Sequence, residues 1–449
     1  MTAPVATPSA LPAAPSPTYA WYTVFVLTIC YTLAFIDRQI LGLMIGPIKA
    51  EFAISDTQVG LLGGFAFSVF YSIVSLPLGR LVDRVGRWRI IGLGVLFWSV
   101  MTMTCAVARG YPGLFLARMG VGVGEATLAP AAVSAISDSF PNDKLGSAMS
   151  VYGIGIYLGS GLALLLGGAV VASLAQTPLV TLPLFGDVAS WRVIFLVVGL
   201  PGVIVGLWVL TLREPPRRKA ILTQEGALAV LTIRQVIAEI GMRRGAVAGI
   251  AIGLMFQAIA LYAYMLWSPE MLRRSFGWSA QSTGLVMGAI VLIGGTAGML
   301  TGGRLSDRGL RSGHRDAALW VATVSSVVGF LVFATLLSAL GSANATAGIL
   351  FVGVFLLAMP AGSCYAAAQM VLPNQVRGQA MALILLVANF GGLTLGPLLP
   401  ALLNDYLFVS DAALGRSLAI TLALTTLSAA VVFDTARRPY RRHHHELNA

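Results

Sequence analysis

Charged residues are scarce in this chain. Only 10% of its 449 residues are Asp, Glu, Lys or Arg, and 57% are hydrophobic, whereas about 25% of the residues of soluble domains are charged. This shortage excludes a soluble globular domain. It favours a protein whose apolar segments lie in lipid, where each crossing takes roughly 20 residues.

Cysteine and histidine are also rare. Cys30, Cys105 and Cys364 all fall in apolar segments, where a free thiol is usually a small buried side chain. His314 is in a loop, and the other three histidines form the run 443–445. We therefore expect no disulfide framework, no metal site and no cofactor. An enzyme would need a nucleophile with a base or a metal cluster on one face, so catalysis is not expected.

The chain contains an internal repeat. The string GRLVDR at 79–84 returns as GRLSDR at 303–308, which is 224 residues later. Further identities at this offset are Ser55 with Ser279, Gly60 with Gly284, Gly64 with Gly288 and Arg87 with Arg311. Duplication of an apolar chain is typical of secondary transporters whose halves rock about a central site.

Twelve apolar segments are long enough to cross a bilayer, six in each copy. They are predicted at 19–46, 57–82, 89–109, 113–138, 147–174, 190–212, 244–270, 278–303, 316–341, 345–371, 377–402 and 412–436. Backbone in lipid must satisfy its own hydrogen bonds, so each segment is expected to be a helix. The predicted fold class is an all-α membrane protein with twelve transmembrane helices in two pseudo-symmetric six-helix bundles.

The predicted organisation has five parts. These are a disordered N-terminal tail at 1–18, an N-terminal bundle at 19–212, a connector with an amphipathic helix at 213–243, a C-terminal bundle at 244–436 and a basic tail at 437–449. The first tail is uncharged and lacks the positive region of a signal peptide. The first helix is therefore expected to target the chain to the membrane.

Arginine placement predicts the orientation. Most Lys and Arg residues outside the segments lie on the side of both termini, as around Arg84, Arg217 and Arg437, so the positive-inside rule places both termini in the cytoplasm. This bias and attraction to membrane lipids explain the net charge of +11, and no nucleic-acid partner is expected. The excess of Arg over Lys indicates a bacterial genome, and we expect a monomer in the inner (plasma) membrane.

Four ionisable residues fall deep inside predicted helices, Asp37 and Arg38 in the first and Arg118 and Glu125 in the fourth. A charge in a bilayer is costly, so each is a functional candidate. Arg118 and Glu125 are seven residues, or about 700° of helix, apart and share a face. Asp37 and Arg38 are about 100° apart, so one can address a cavity while the other braces a neighbouring helix.

Three glycines separate the two charges of the fourth helix. Gly120, Gly122 and Gly124 remove side chains from its surface, which lets another helix approach closely. We expect that partner to be the first helix, which would bring Asp37 toward Arg118 and Glu125.

These buried carboxylates are predicted to couple transport to protons. Desolvation drives a carboxylate toward its neutral form, and a nearby Arg drives it back toward the anion. Asp37 and Glu125 are the predicted proton-coupling residues, with Arg38 and Arg118 as charge partners or as the site of a substrate head group. A static ion-pair network is the alternative, although such networks often stabilise a fold no better than apolar residues do.

The seventh and tenth helices carry no deep charge and are expected to face the charged helices. Phe256, Gln257 and Tyr365 of these helices, together with Tyr31 and Phe35 of the first, are the predicted cavity residues. A cavity that is ionic on one side and apolar on the other suits an amphipathic solute better than a sugar. The alternative is that these aromatic side chains pack against lipid or a neighbouring helix, which is the commoner role of a single aromatic residue in a stripe at helical spacing.

Several motifs carry a family resemblance. GRLVDRVGRWR at 79–89 matches the loop signature of the major facilitator superfamily, with GRLSDR at 303–308 as its usual echo. FIDRQILG at 35–42, SDTQVGLL at 55–62 and ARMGVGVGEA at 117–126 closely resemble bacterial members of the Spinster family of lipid transporters. The resemblance covers the whole chain.

The resemblance implies an alternating-access carrier of lysophospholipid-like or sphingosine-phosphate-like amphiphiles, with Asp37, Arg118 and Glu125 tied to proton coupling. It also implies a cytoplasmic gate in which Asp83 contacts the start of the eleventh helix. The gate residues are Gly79, Asp83, Arg84, Arg87, Asp307 and Arg308. The GP step that antiporters often carry in the fifth helix is missing, and a GxxxGP form occurs at 392–397 instead.

The leading hypothesis is therefore a proton-coupled transporter of amphipathic lipids or drug-like amphiphiles. The alternative is a multidrug or small organic-anion porter, in which Arg38 and Arg118 would anchor the anion. A receptor or a lipid-modifying enzyme is the hypothesis from a different class.

Overall fold

A computed structural model of the chain describes residues 16–175, 179–182, 186–214, 241–372 and 377–448. Within these residues, twelve helices are long and apolar enough to cross a membrane, which confirms the predicted fold class. Most of the predicted N-terminal tail and the amphipathic part of the connector lie outside the described residues.

The first half contains six helices. Their bounds are α1 Pro17–Phe52, α2 Asp56–Gly60 continuing through Leu61–Phe65 and Ala66–Arg84, α3 Arg87–Ala106, α4 Tyr111–Glu125 and Leu128–Ser139, α5 Asn142–Ala175 and α6 Ser190–Leu210. Between α5 and α6 the antiparallel strands β1 (Leu179–Leu182) and β2 (Gly186–Ala189) form a hairpin. The apolar run predicts the part of α1 inside lipid, but the helix continues past 46 with polar residues and ends at Ala53, which has a φ of 51°.

The second half repeats this arrangement. Its helices are α7 Arg244–Phe276, α8 Ala280–Ala289 continuing through Ile290–Gly295 and Thr296–Arg311, α9 Ala317–Ala339, α10 Ala343–Met370, α11 Arg377–Leu402 with Leu403–Phe408, and α12 Leu414–Asn448 preceded by a 3₁₀ turn at Asp411–Ala413. The three cysteines are buried, as the sequence indicates.

The repeat is visible in local structure. Ser55 and Ser279 each cap the second helix of their half, because each hydroxyl oxygen accepts a hydrogen bond from a backbone N–H in the first turn. Both of these helices contain a π-helical turn, Leu61–Phe65 in α2 and Ile290–Gly295 in α8. The repeat therefore preserves how the helix begins, whereas the π-helical turn of α8 starts five residues beyond 285, the repeat equivalent of residue 61.

The halves meet where α2 crosses α11 and where α5 crosses α8. A β-carbon at Gly60 would lie 2.7 Å from the carbonyl oxygen of Pro397, and one at Gly284 would run into the carbonyl oxygen of Leu164. These two glycines are repeat equivalents. Their missing side chains let both pairs of backbones approach closely, and so place the deep charges of the first half beside the second half.

Candidate functional site

The deep charges of the first half form one close ion pair. Arg38 Nη2 lies 2.5 Å and Nε 2.7 Å from Glu125 Oε2. Glu125 and Arg118 are buried, with at most 2% of each residue exposed, and the Arg38 side chain is 15% exposed. The expectation that adjacent Asp37 and Arg38 point differently is met, since Arg38 reaches the fourth helix.

Aromatic rings surround the guanidinium of Arg38. Its Cζ atom lies 4.8 Å from the ring centre of Phe35, 4.5 Å from that of Phe67 and 5.4 Å from that of Tyr71. The ring faces attract the cation electrostatically. Arg38 therefore keeps favourable contacts even when its carboxylate partner is neutral.

Asp37 points away from Arg38, toward α3. The Thr102 hydroxyl donates to Asp37 Oδ2 at 2.5 Å. In the described part of the chain, Asp37 Oδ1, Glu125 Oε1 and two nitrogens of Arg118, Nε and Nη1, have no hydrogen-bond partner. An unsatisfied buried polar group costs about 1–3 kcal/mol, so binding a proton, water or a ligand group at these atoms would be favourable.

The glycines of α4 admit other partners than the sequence suggested. A β-carbon at Gly122 would run into the backbone of Phe67 in α2, and one at Gly124 would lie 3.0 Å from the carbonyl oxygen of Gly94 in α3. The predicted partner, α1, was therefore wrong. Residue spacing fixes which face of a helix is bare but not which neighbour uses it.

A cavity of about 250 Å³ lies between the two halves beside the ion pair. Of the predicted cavity residues, Tyr31, Phe35, Gln257 and Tyr365 line it, and Arg38 contributes the charge. Phe256 does not share this lining. Its ring packs against the apolar cluster between helices of the second half, because it lies about 100° around α7 from Gln257.

The cavity wall also contains neutral polar groups that the sequence reading missed. These are Gln39 of α1, Ser160 of α5 and Asn389 of α11. A lone amide such as Asn389 within an apolar run was the available signal. The second half therefore supplies hydrogen-bonding groups but no charge to this lining, which is more polar than predicted.

Gln257 is held in a fixed orientation. Its Nε2 donates to the carbonyl oxygen of Leu357 at 3.0 Å, and its Oε1 accepts from the Ser326 hydroxyl at 3.4 Å. This amide thus ties α7 to α9 and α10. It presents a rigid polar wall to the cavity rather than a mobile one.

A charged cluster closes the face opposite the two termini, which we call the distal face. Asp56 is fully buried there and accepts from Arg274 at 2.7 and 2.8 Å, from Lys49 at 2.7 Å and from Asn404 at 2.8 Å. Glu270 accepts from the same Arg274 at 2.9 Å. We call this set the distal cluster, and it joins α1 and α2 to α7 and α11.

Sequence reasoning missed the distal cluster. Its residues lie at helix ends, where charges are ordinarily solvated, so nothing in the sequence pattern distinguishes them. Asp56 and Arg274 are 218 residues apart and meet only because the two halves fold against each other.

Other bonds reinforce the same closure. Gln39 Nε2 donates to the carbonyl oxygen of Met265 at 2.5 Å, and the backbone N–H of Thr57 donates to Asp405 at 2.6 Å. Among described residues, hydrogen bonds between the halves run from the pair of Ser68 and Thr394, deep in α2 and α11, to this face. The cavity is therefore sealed on the distal side.

The predicted gate on the face of the termini is only partly described. Gly79, Asp83 and Arg84 lie in the helical end of α2, and their side chains are outside the described part. Asp307 and Arg308 are exposed at the end of α8. The predicted contact of Asp83 with the start of α11 stays a prediction.

Arg87 has a different setting from the one expected. It is buried and makes an ion pair with Asp138 of α4, and its Nε donates to the Ser134 hydroxyl at 3.1 Å. Glu214, just after α6, accepts from the backbone N–H of Arg87 at 3.0 Å. These described contacts brace α3 against α4 and α6 within the first half.

The comparisons agree with this architecture. The profile described as Major Facilitator Superfamily matches residues 27–397 and 250–448. An MFS-type efflux pump of Mycolicibacterium smegmatis is 29% identical over 444 residues, which cover 95% of this chain and 94% of the relative. Protein spinster homolog 1 of Homo sapiens is 29% identical over 355 residues, covering 75% and 64%.

A solved structure has the same fold. It is a bacterial homologue of the human lysosomal transporter Spinster in an inward-facing, unoccupied conformation. Its TM-score is 0.77 at 24% identity, with 96% of this chain and 98% of that chain covered.

Proposed function

Because the chain belongs to the Major Facilitator Superfamily of membrane transporters, we propose that it is a proton-coupled secondary transporter of amphipathic lipids. Its substrates would be lysophospholipid-like or sphingosine-phosphate-like molecules, moved by alternating access. The observation that carries the proposal is the ion pair between Arg38 and Glu125 at the edge of a cavity that is sealed on one side.

The pair supplies a coupling chemistry. A proton on Glu125 Oε2 removes the negative charge that holds Arg38, and the Arg38 guanidinium then has donors for an anionic head group in the cavity. An anion on Arg38 in turn removes the cation that keeps Glu125 ionised. Protonation of Glu125 and binding of an anion therefore favour each other.

Asp37 and Arg118 have supporting roles in this proposal. Both are buried behind Arg38, and neither lines the cavity. Asp37 is the second proton-binding carboxylate, held by Thr102. Arg118 is the second cation that stabilises the charged form of either carboxylate.

The apolar part of the substrate would lie against the second half. Leu254, Leu261 and Leu357 line that side of the cavity. A hydrocarbon chain there removes apolar surface from water, which contributes roughly 25 cal/mol per Å² buried. A charged wall from one half and an uncharged wall from the other match the two ends of an amphiphile.

Transport in proteoliposomes tests the proposal. Labelled lysophospholipid should move faster with a pH gradient than without one, and Glu125→Gln and Asp37→Asn should lose the gradient dependence. Asp434→Asn, at an exposed carboxylate of α12, is the matched control and should transport normally. Equal rates with and without a gradient, together with normal transport by Glu125→Gln, would disprove coupling through this site.

The second candidate is a multidrug or small organic-anion porter. A small organic anion, rather than a drug-sized molecule, is favoured by the cavity volume of about 250 Å³, which is below the roughly 300–1,000 Å³ of pockets for drug-sized ligands. Neutral hydrogen-bonding groups from both halves, such as Ser160 and Asn389, also suit a compact polar anion. Competition of labelled lysophospholipid by simple carboxylates separates the two, since only an organic-anion porter should be inhibited at low concentration.

A further inference from the structure

A second crevice lies on the distal face, entirely within the first half. The hairpin of β1 and β2 roofs it, and the ends of α1 and α3 and the start of α6 form its walls. Its volume is about 890 Å³, and it shares no lining residue with the central cavity. We call it the hairpin crevice.

The repeat sets this crevice apart from the transport machinery. Residues 179–182 and 186–189 form the two strands of the hairpin, whereas the equivalent segment 403–413 contains a π-helical turn and a 3₁₀ turn. The second copy of this segment contributes Asn404, Asp405 and Asp411 to the distal cluster. The first copy has no such contact with the other half among the described residues, and instead covers its own bundle.

The floor of the crevice is apolar and continuous with the lipid-facing surface. Val107 and Leu196 line it, and Val107 itself is exposed. One turn further along α6, Leu200 is exposed, as is Ile204 beyond it. Because the crevice lies where three membrane helices end, its mouth is at the level of the lipid head groups.

The arginine nearest the floor is already fully engaged. Arg192 donates to the carbonyl oxygens of Ala106 and Ala108 at 2.9 and 2.5 Å and pairs with Glu51 at 2.5 Å. Glu51 also accepts from Trp191 Nε1 at 2.5 Å. These residues hold the ends of α1, α3 and α6 together and give the crevice a rigid wall.

Two charges at the mouth remain available. Arg109 is exposed and has no hydrogen-bond or ion-pair partner among the described residues. Asp187 of β2 is exposed and accepts one bond, from Thr181 at 2.6 Å through Oδ1. Among the described residues, and apart from the engaged pair of Arg192 and Glu51, the crevice thus combines an apolar floor with a cation, Arg109, and an exposed carboxylate, Asp187.

The geometry points to a structural binding site for a phospholipid whose head group carries both a phosphate and an ammonium. Arg109 binds the phosphate, because guanidinium and phosphate make strong charge-assisted hydrogen bonds. Asp187 binds the ammonium, and an acyl chain lies on Val107 and Leu196. A soluble anion would gain nothing from this apolar floor, and a lipid with no amine would leave Asp187 without a cationic partner.

Native mass spectrometry of the full chain in detergent tests this site with phosphatidylethanolamine as the probe. Arg109→Ala should weaken the lipid adduct roughly tenfold, as expected for loss of a charge-assisted bond. Arg416→Ala is the matched control, because Arg416 is the repeat equivalent of Arg192, is exposed on the distal side and lies outside the crevice. It should bind the lipid normally.

Two more measurements fix the ligand class. Asp187→Asn should reduce the preference for phosphatidylethanolamine over phosphatidylglycerol, and free phosphoethanolamine should bind much more weakly than the lipid. Equal adducts in Arg109→Ala and the parent chain, or equal losses in Arg109→Ala and Arg416→Ala, would overturn the site. Phosphoethanolamine binding as tightly as the lipid would overturn its assignment to a membrane lipid. These measurements report lipid binding and not transport. Failure of the proposed transport function in the proteoliposome assay would therefore leave their results unchanged.

Discussion

At the scale of the residue, Arg38 combines three requirements that lysine cannot meet. It pairs with Glu125 through two nitrogens, stacks on aromatic rings and stays charged when buried. We expect Arg38→Lys to fold but to bind the anionic substrate roughly tenfold more weakly, because it loses one directed bond and the ring contacts. Ligand titration of the purified protein measures this. Arg416→Lys, at an exposed position outside the cavity, should bind normally, and an unchanged affinity in Arg38→Lys would assign the pair to packing alone.

Arg87 allows a structural and a gating role to be distinguished at one residue. Removing one partner of a buried pair typically costs about 3–5 kcal/mol, so Arg87→Ala, which leaves Asp138 buried without Arg87, should lower the melting temperature by several degrees. Arg89→Ala, two residues along and exposed, should melt like the parent chain. A normal melting temperature with an altered balance between conformations would instead support the predicted gate.

At the scale of the element, the sequence predicted the membrane helices but not the hairpin or the helices that pack on the glycines of α4. The apolar segments predicted all twelve helices because lipid permits few alternatives. The strands at 179–182 and 186–189 could not be predicted from the repeat, since the equivalent segment at 403–413 contains helical turns instead. The glycines of α4 showed a bare face, but only the packed structure assigns α2 and α3 to it.

The two glycine crossings make a prediction for whole helices. A β-carbon at Gly284 would collide with backbone of α5, whereas one at Gly348 of α10 would meet nothing within 4 Å. Gly284→Ala should therefore force α5 and α8 apart and lower the melting temperature. Gly348→Ala should be neutral or slightly stabilising, because alanine is favoured over glycine in a helix by about 1 kcal/mol. Equal melting temperatures for the two variants would mean that the crossing is looser than described.

At the scale of the whole molecule, the repeat supplies two similar halves and the distal cluster joins them at the distal face. The single carboxylate of Asp56 accepts hydrogen bonds from side chains of α1, α7 and α11. The deep charges lie in the first half only, whereas the closing charges come from both. In the proposed alternating-access cycle, the distal cluster therefore breaks when the halves rock, while the pair of Arg38 and Glu125 stays within its own bundle.

Because the charges that close the distal face are separate from the deep charges of the first half, closure can be tested without knowledge of the substrate. Arg274→Ala removes two bonds to Asp56, one to Glu270 and one to Asp411, and a loss of roughly 3 kcal/mol would change the ratio of closed to open forms more than a hundredfold. Spin labels at Gly113 and Tyr406, exposed on the distal side of opposite halves, should then show a longer distance by pulsed electron resonance. Arg416→Ala should keep the parent distance. If Arg274→Ala kept it too, closure would rest on the helix crossings at Gly60 and Gly284 rather than on charge.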